Sequence, residues 1–185
     1  MSTEQLGFLQ LFESENVYIG AILLTDLDSV PVEFRVTLPV RPTSIQRTLY
    51  GRALAPYIGV ELCGKLLLEK VTQQPELIFV KPDYMLGLRP GSNVPLIYIQ
   101  QTTTAIEEAS GAANTVGKAD QNRLELSEGH SQPVTLFPAP GFTKDLNVVR
   151  PLVEQLWPKF DLREPFDRIE QTLILLKEQD PRFSQ

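Results

Sequence analysis

The sequence predicts an α+β domain, with a mixed α/β arrangement as the close variant, on three observations. Three consecutive stretches near the N-terminus, "GFLQLFES", "VYIGAILLTD" and "VPVEFRVTLP", are rich in aromatic and branched residues. Short turn-forming segments, "ENV" and "DLDSVP", separate them, as in sequential antiparallel strands. Helical periodicity appears after Pro42 and again near the C-terminus, with two further short apolar runs between.

The meander runs from Gly7 to Leu38, and in its third strand Val32, Phe34 and Val36 share one face while Glu33, Arg35 and Thr37 share the other. A helix begins after Pro42, capped by Thr43, with Gln46 placed to return the hydrogen bond of a capping box. Ile45, Leu49 and Ala53 form its apolar stripe. Pro56 lacks a donor and is expected to kink this helix into a helical hairpin. The second arm reaches about Val71 and buries Ile58, Leu62, Leu66 and Cys63. "PELIFV" and "VPLIYIQ" complete a sheet of about five strands.

From Gln101 to Gln132 the composition turns small and polar, an excursion from a single domain spanning 1–185, with a short helix expected near "TTAIEEA". After the apolar run "PVTLFPAPGF" come two helices, "NVVRPLVEQLW" and "EPFDRIEQTLILLKEQ". The second carries Phe166, Ile169, Leu173 and Leu176 on one face, which needs the sheet as its partner.

Composition narrows the function. The 185 residues hold 23 acidic and 17 basic side chains, a net charge of −6 that opposes non-specific attraction to nucleic acid or an anionic membrane. Nucleic acid is therefore an unlikely partner on this reading. Cys63 is the only cysteine, which excludes an intrachain disulfide, and His130 the only histidine, expected in solvent, which excludes a multi-histidine metal site within one chain. The N-terminus has no signal-like apolar run, and no stretch is long enough to span a bilayer. A cytoplasmic protein without a cofactor is the expectation.

Two groups of residues offer chemistry. Arg35, Arg41, Arg47 and Arg52 surround the helix start at Thr43, where unpaired backbone N–H groups suit a phosphate or carboxylate. The competing, commoner reading pairs these arginines with Glu33, Asp26, Asp28 and Glu61 on a solvated surface. Asp26 and Asp28, two apart, would join Glu61 or Asp83 at a divalent cation if folding brought them together. Three strands, a helix and a strand ending near Asp83 also loosely resembles the element order of ribonuclease-H-like nucleases, a likeness of topology alone. An Asp-rich turn explains the pair more simply.

The segment "GAILLTDLDSVPVEFRVTLPVRPTSIQRTLYGRALAPYI" resembles small uncharacterised bacterial proteins with a "TD…P-x-EFR-x-T-x-P-x-x-PT-x-x-Q-x-x-LYG" pattern. The resemblance covers about the N-terminal half and implies no activity. The sequence alone thus favours a non-catalytic binding or adaptor protein. Its partner would be another protein, or an anionic small ligand, met through Arg35, Arg41, Thr43, Arg47 and Arg52. The alternative is a divalent-metal-dependent enzyme acting on phosphate-containing substrates through Asp26, Asp28, Glu61 and Asp83.

Overall fold

The N-terminal hairpin sets the frame. β1 (Gln5–Ser14) and β2 (Val17–Asp26) pair antiparallel along their whole length. Both turn residues between them have positive φ, 51° at Glu15 and 67° at Asn16, the twist a two-residue hairpin requires. β3 (Pro31–Val36) returns antiparallel to β2 through a turn in which the Asp26 carboxylate accepts from the backbone N–H groups of Asp28 (3.0 Å) and Val30 (2.8 Å). In this computed structural model, residues 4–101, 122–127, 129, 130 and 132–184 are described. The helix expected near "TTAIEEA" lies outside them, as does most of the polar excursion.

A helical crossover then carries the chain to the other edge of β1. There β4 (Leu77–Lys81) pairs parallel with β1, and β5 (Leu96–Gln101) parallel with β4. β7 (Val134–Pro138) is antiparallel to β5, and β6 (Leu124–Leu126) closes that edge, giving the order β3-β2-β1-β4-β5-β7-β6. The architecture is mixed α/β, with seven strands rather than about five. β6 is only three residues long, and β7 follows Pro133 and ends on Pro138, so neither gave a clear strand pattern.

Helices cover both faces. Leu6, Phe8, Ile19, Phe79 and Ile97 pack in one core with side chains from α4 (Lys144–Leu156) and α5 (Glu164–Gln179). A further short helix, α6 (Pro181–Ser184), adds buried Phe183, so three C-terminal helices stand where two were expected. Before α5, burial pushes the Asp161 carboxyl up, but hydrogen bonds from the Arg163 side chain and backbone together hold it below its usual range. Such a group stabilises the fold above its unfolded pKa of about 3.9, and that contribution is lost as pH falls through the folded value. Asp161→Asn should be less stable than wild type near neutrality and converge with it in acid, as read by urea unfolding at both conditions.

The opposite face, with Leu9, Ile22, Leu24, Ile78 and Val80, is covered by the crossover and by a 3-10 segment, Asp83–Gly91. The crossover departs from expectation in two ways. Its break falls at Gly51 (φ 51°), after α1 (Ser44–Tyr50), and not at Pro56. Pro56 lies in the first turn of the next helical run, α2 (Leu54–Tyr57), where a missing N–H costs little. The chain then passes through a π-helical stretch, Ile58–Gly64, into α3 (Lys65–Lys70). The wide turn changes the buried spacing to Ile58, Cys63 and Leu67, leaving Leu62 and Leu66 43% and 44% exposed. Glycine permits this contact: a Cβ at Gly20 on β2 would stand 2.6 Å from the Cys63 Cβ. Among the described residues, no helix is long and apolar enough to cross a membrane.

Candidate functional site

The capping box forms at Thr43, whose hydroxyl accepts from Gln46 N–H at 3.2 Å while Thr43 N–H donates to the Gln46 side chain at 2.8 Å. The helix it starts, α1, buries none of its residues, and Ile45 and Leu49 are 70% and 78% exposed. The apolar stripe expected there is therefore real in sequence but uncovered in space, because α1 ends at Gly51 before it can lie along the sheet.

The arginines separate into two kinds. Arg35 on β3 pairs with Glu33, whose carboxylate also accepts from Thr72 N–H and its hydroxyl. Among the described residues, no carboxylate pairs with Arg41, Arg47 or Arg52, so the proposed neutralisation by Asp26, Asp28 and Glu61 does not occur. Two of those carboxylates are engaged elsewhere: Asp26 in its own turn and Glu61 with Lys65 at 2.5 Å. Arg47 is partly buried, with one terminal nitrogen out of solvent and without a hydrogen-bond partner. One helical turn further on, Tyr50 and Tyr57 form an exposed ring pair with centroids 5.0 Å apart.

The four metal candidates lie apart. Asp26 is level with Gln5 at the start of β1, while Asp83 follows Lys81, which is level with Gln10. Those rows are roughly 17 Å apart at about 3.3 Å per residue. Asp28 lies beyond the end of β2, and Glu61 is exposed on the π-helical stretch. Among the described residues, no group of three or more His, Cys, Asp or Glu side chains could hold a metal ion.

The carboxyl ends of the parallel strands carry a different group, which sequence reasoning missed. Burial raises the Tyr84 phenol, and the charges of Glu13, Tyr18, Asp83 and Cys63 raise it further, to about 12. Tyr18 is raised by burial and by its hydrogen bond to Glu13, partly offset by Arg47. Asp83, Tyr84, Leu86, Gly87, Pro90, Ala139 and Pro140 line an open cleft of about 430 Å³ beside them. Its parts come from β1, β2 and the segment after β4, which no local spacing connects. A raised phenol stabilises the fold below its unfolded pKa near 10, and the contribution is lost as pH rises through the folded value. Ultraviolet titration should therefore show a late-ionising tyrosine near pH 12, absent from Tyr84→Phe.

His130, expected in solvent, is instead partly buried against the Trp157 ring, with centroids 4.4 Å apart. The segment after β6 returns it to α4, which explains the difference.

No family model matches the chain, and no curated protein matches its sequence. Solved structures with a similar arrangement exist at low identity. Endonuclease V of Ciona intestinalis, in complex with a DNA containing an inosine followed by a ribo-adenosine, is 12% identical over 75% of this chain and 72% of that one, at a TM-score of 0.43. Endonuclease V of Bacillus subtilis is 12% identical over 75% and 66%, at 0.46. Marinitoga piezophila Argonaute in complex with guide RNA is 12% identical over 80% of this chain and 25% of that one, at 0.37.

These similar structures are endonucleases by name or are held with DNA or RNA, and two expectations from the sequence stand against them. A non-catalytic binding or adaptor protein is no longer the reading, nor is nucleic acid an unlikely partner. Averaging charge over the chain conceals a local feature. From Arg35 to Lys70 there are six cations and two carboxylates, a local excess of four in a chain of net −6, so the remainder carries −10.

Proposed function

We propose that this protein acts on nucleic acid, taking the phosphates of a strand on Arg41, Arg47 and Arg52. The observation that carries the reading is the absence of a carboxylate partner for these arginines among the described residues of an otherwise acidic molecule. Arginine suits phosphate because its planar fork offers two parallel donors. The Tyr50–Tyr57 pair, 40% and 39% exposed with ring planes tilted by 44°, offers aromatic faces beside them on which an unpaired base stacks. A single strand fits this combination better than a duplex, whose bases are already stacked.

Fluorescence anisotropy with labelled single-stranded and duplex oligonucleotides over a salt series tests the reading. Wild type should prefer the single strand. The triple variant Arg41→Gln/Arg47→Gln/Arg52→Gln should bind more weakly and flatten the log K against log salt slope by about 2, since each phosphate contact contributes about 0.7. No binding by wild type at low salt would overturn the proposal. A second reading, turnover of the same substrate class, is favoured by Glu13 and Asp83, which both bear on Tyr84 at the carboxyl ends of β1 and β4, where ligands of open α/β sheets bind. Cleavage products that vanish in Glu13→Gln/Asp83→Asn would support it, and an intact strand after prolonged incubation with wild type would reject it.

A further inference from the structure

We propose that β3 joins two copies of this chain, paired antiparallel edge to edge about a twofold axis at Phe34. The strand order ends at β3, so its outer backbone groups face no neighbouring strand among the described residues. Such edges are templates for pairing unless they are blunted. This one carries no lysine, and its only proline is its first residue, Pro31.

Its sequence is its own complement. Around Phe34 the strand reads Val32-Glu33-Phe34-Arg35-Val36. In an antiparallel pair centred there, Val32 faces the other copy's Val36, Phe34 faces its counterpart, and Glu33 faces Arg35 at both ends. Directly opposite residues share a face of the sheet, so each charge meets its opposite and each apolar side chain another apolar one. An isologous interface requires this self-complementarity, whereas an unrelated partner would not.

The exposed side chains agree with the second copy as occupant. Val32 and Phe34 are 41% and 36% exposed on a strand otherwise suited to burial. Arg35 gives only its Nε to Glu33 among the described residues, which leaves both terminal nitrogens for the carboxylate across the axis. A groove of about 450 Å³ between Phe34 and Leu66 and Lys70 of α3 continues the surface on the same edge.

Sedimentation velocity and light scattering at tens of micromolar test the pairing. Wild type should show twice the chain mass of 20.8 kDa. R35E sets carboxylates against each other at both ends of the pair and should halve the mass, with an unchanged circular dichroism spectrum. Exchanging both charges, E33R/R35E, restores opposite charges across the axis and should restore the dimer. Because Glu33 also holds Thr72, F34K is the deciding variant if the double exchange does not fold: it places two cations on the axis and should be monomeric. A monomeric wild type, or a dimer that persists in both R35E and F34K, would overturn the proposal.

Discussion

Phe79→Ala should lower the unfolding free energy by about 3–5 kcal/mol, measured by urea denaturation. Phe79 is fully buried on the central strand β4 and stacks on Phe8 with ring centroids 5.4 Å apart. Phe8 in turn meets Phe166 of α5 nearly edge-on at 5.6 Å, so the three rings join the sheet to its longest helix. Truncation removes one end of this stack, the ring against which Phe8 rests. The walls cannot close on the gap, because Phe79 lies between Phe8 and Ile97 in a ladder hydrogen-bonded on both sides. Phe79→Leu keeps most of the volume and should cost less than half as much. An alanine variant within about 1 kcal/mol of wild type would mean that α5 does not press on the sheet here.

Asp145→Ala should rank second, at about 3 kcal/mol by the same measurement. Asp145 accepts from Arg89 at 2.5 Å (Nε) and 3.0 Å (Nη2), with both side chains largely buried. Arg89 also donates to the Ser92 carbonyl at 2.6 Å and lies over the Phe142 ring at 4.4 Å. Removing the carboxylate leaves a guanidinium held in place with no counter-charge, and desolvation without compensation dominates the cost. Arg89→Leu/Asp145→Leu leaves neither charge behind and should be more stable than Asp145→Ala. If the double variant is worse than the single one, the pair contributes more by geometry than by charge compensation.

Local signals were legible in the sequence. The Thr43–Gln46 cap and the Asp26 turn rest on contacts within four residues, so spacing alone defines them. β1, β2 and β4 are apolar enough to announce burial, and α5 shows its face through Phe166, Ile169 and Leu173. What failed depended on distant partners. The π-helical turn at Ile58–Gly64 inserts one residue into the buried spacing, and only the close contact with Gly20 reveals why. Arg41, Arg47 and Arg52 had carboxylates within reach in sequence, yet the fold directs Asp26 and Glu61 to other donors. The Tyr84 group was invisible because β1 and β4 pair in parallel, and a parallel pair leaves no hairpin signature.

That same parallel pair fixes the order in which the molecule can assemble. β1 finds β2 across a two-residue turn, but its other edge waits for β4, roughly sixty residues downstream, and the entropy of closing that loop precedes any reward. The hairpin alone is only marginally stable in water, so it persists while it waits through its twist and apolar contacts rather than as a finished unit. One face of β1 and β4, with Leu6, Phe8 and Phe79, stays uncovered until α4 and α5 have been made. A chain halted before α4 thus holds all seven strands and half a core, open to aggregation, and the last forty or so residues decide whether the sheet made before them remains folded.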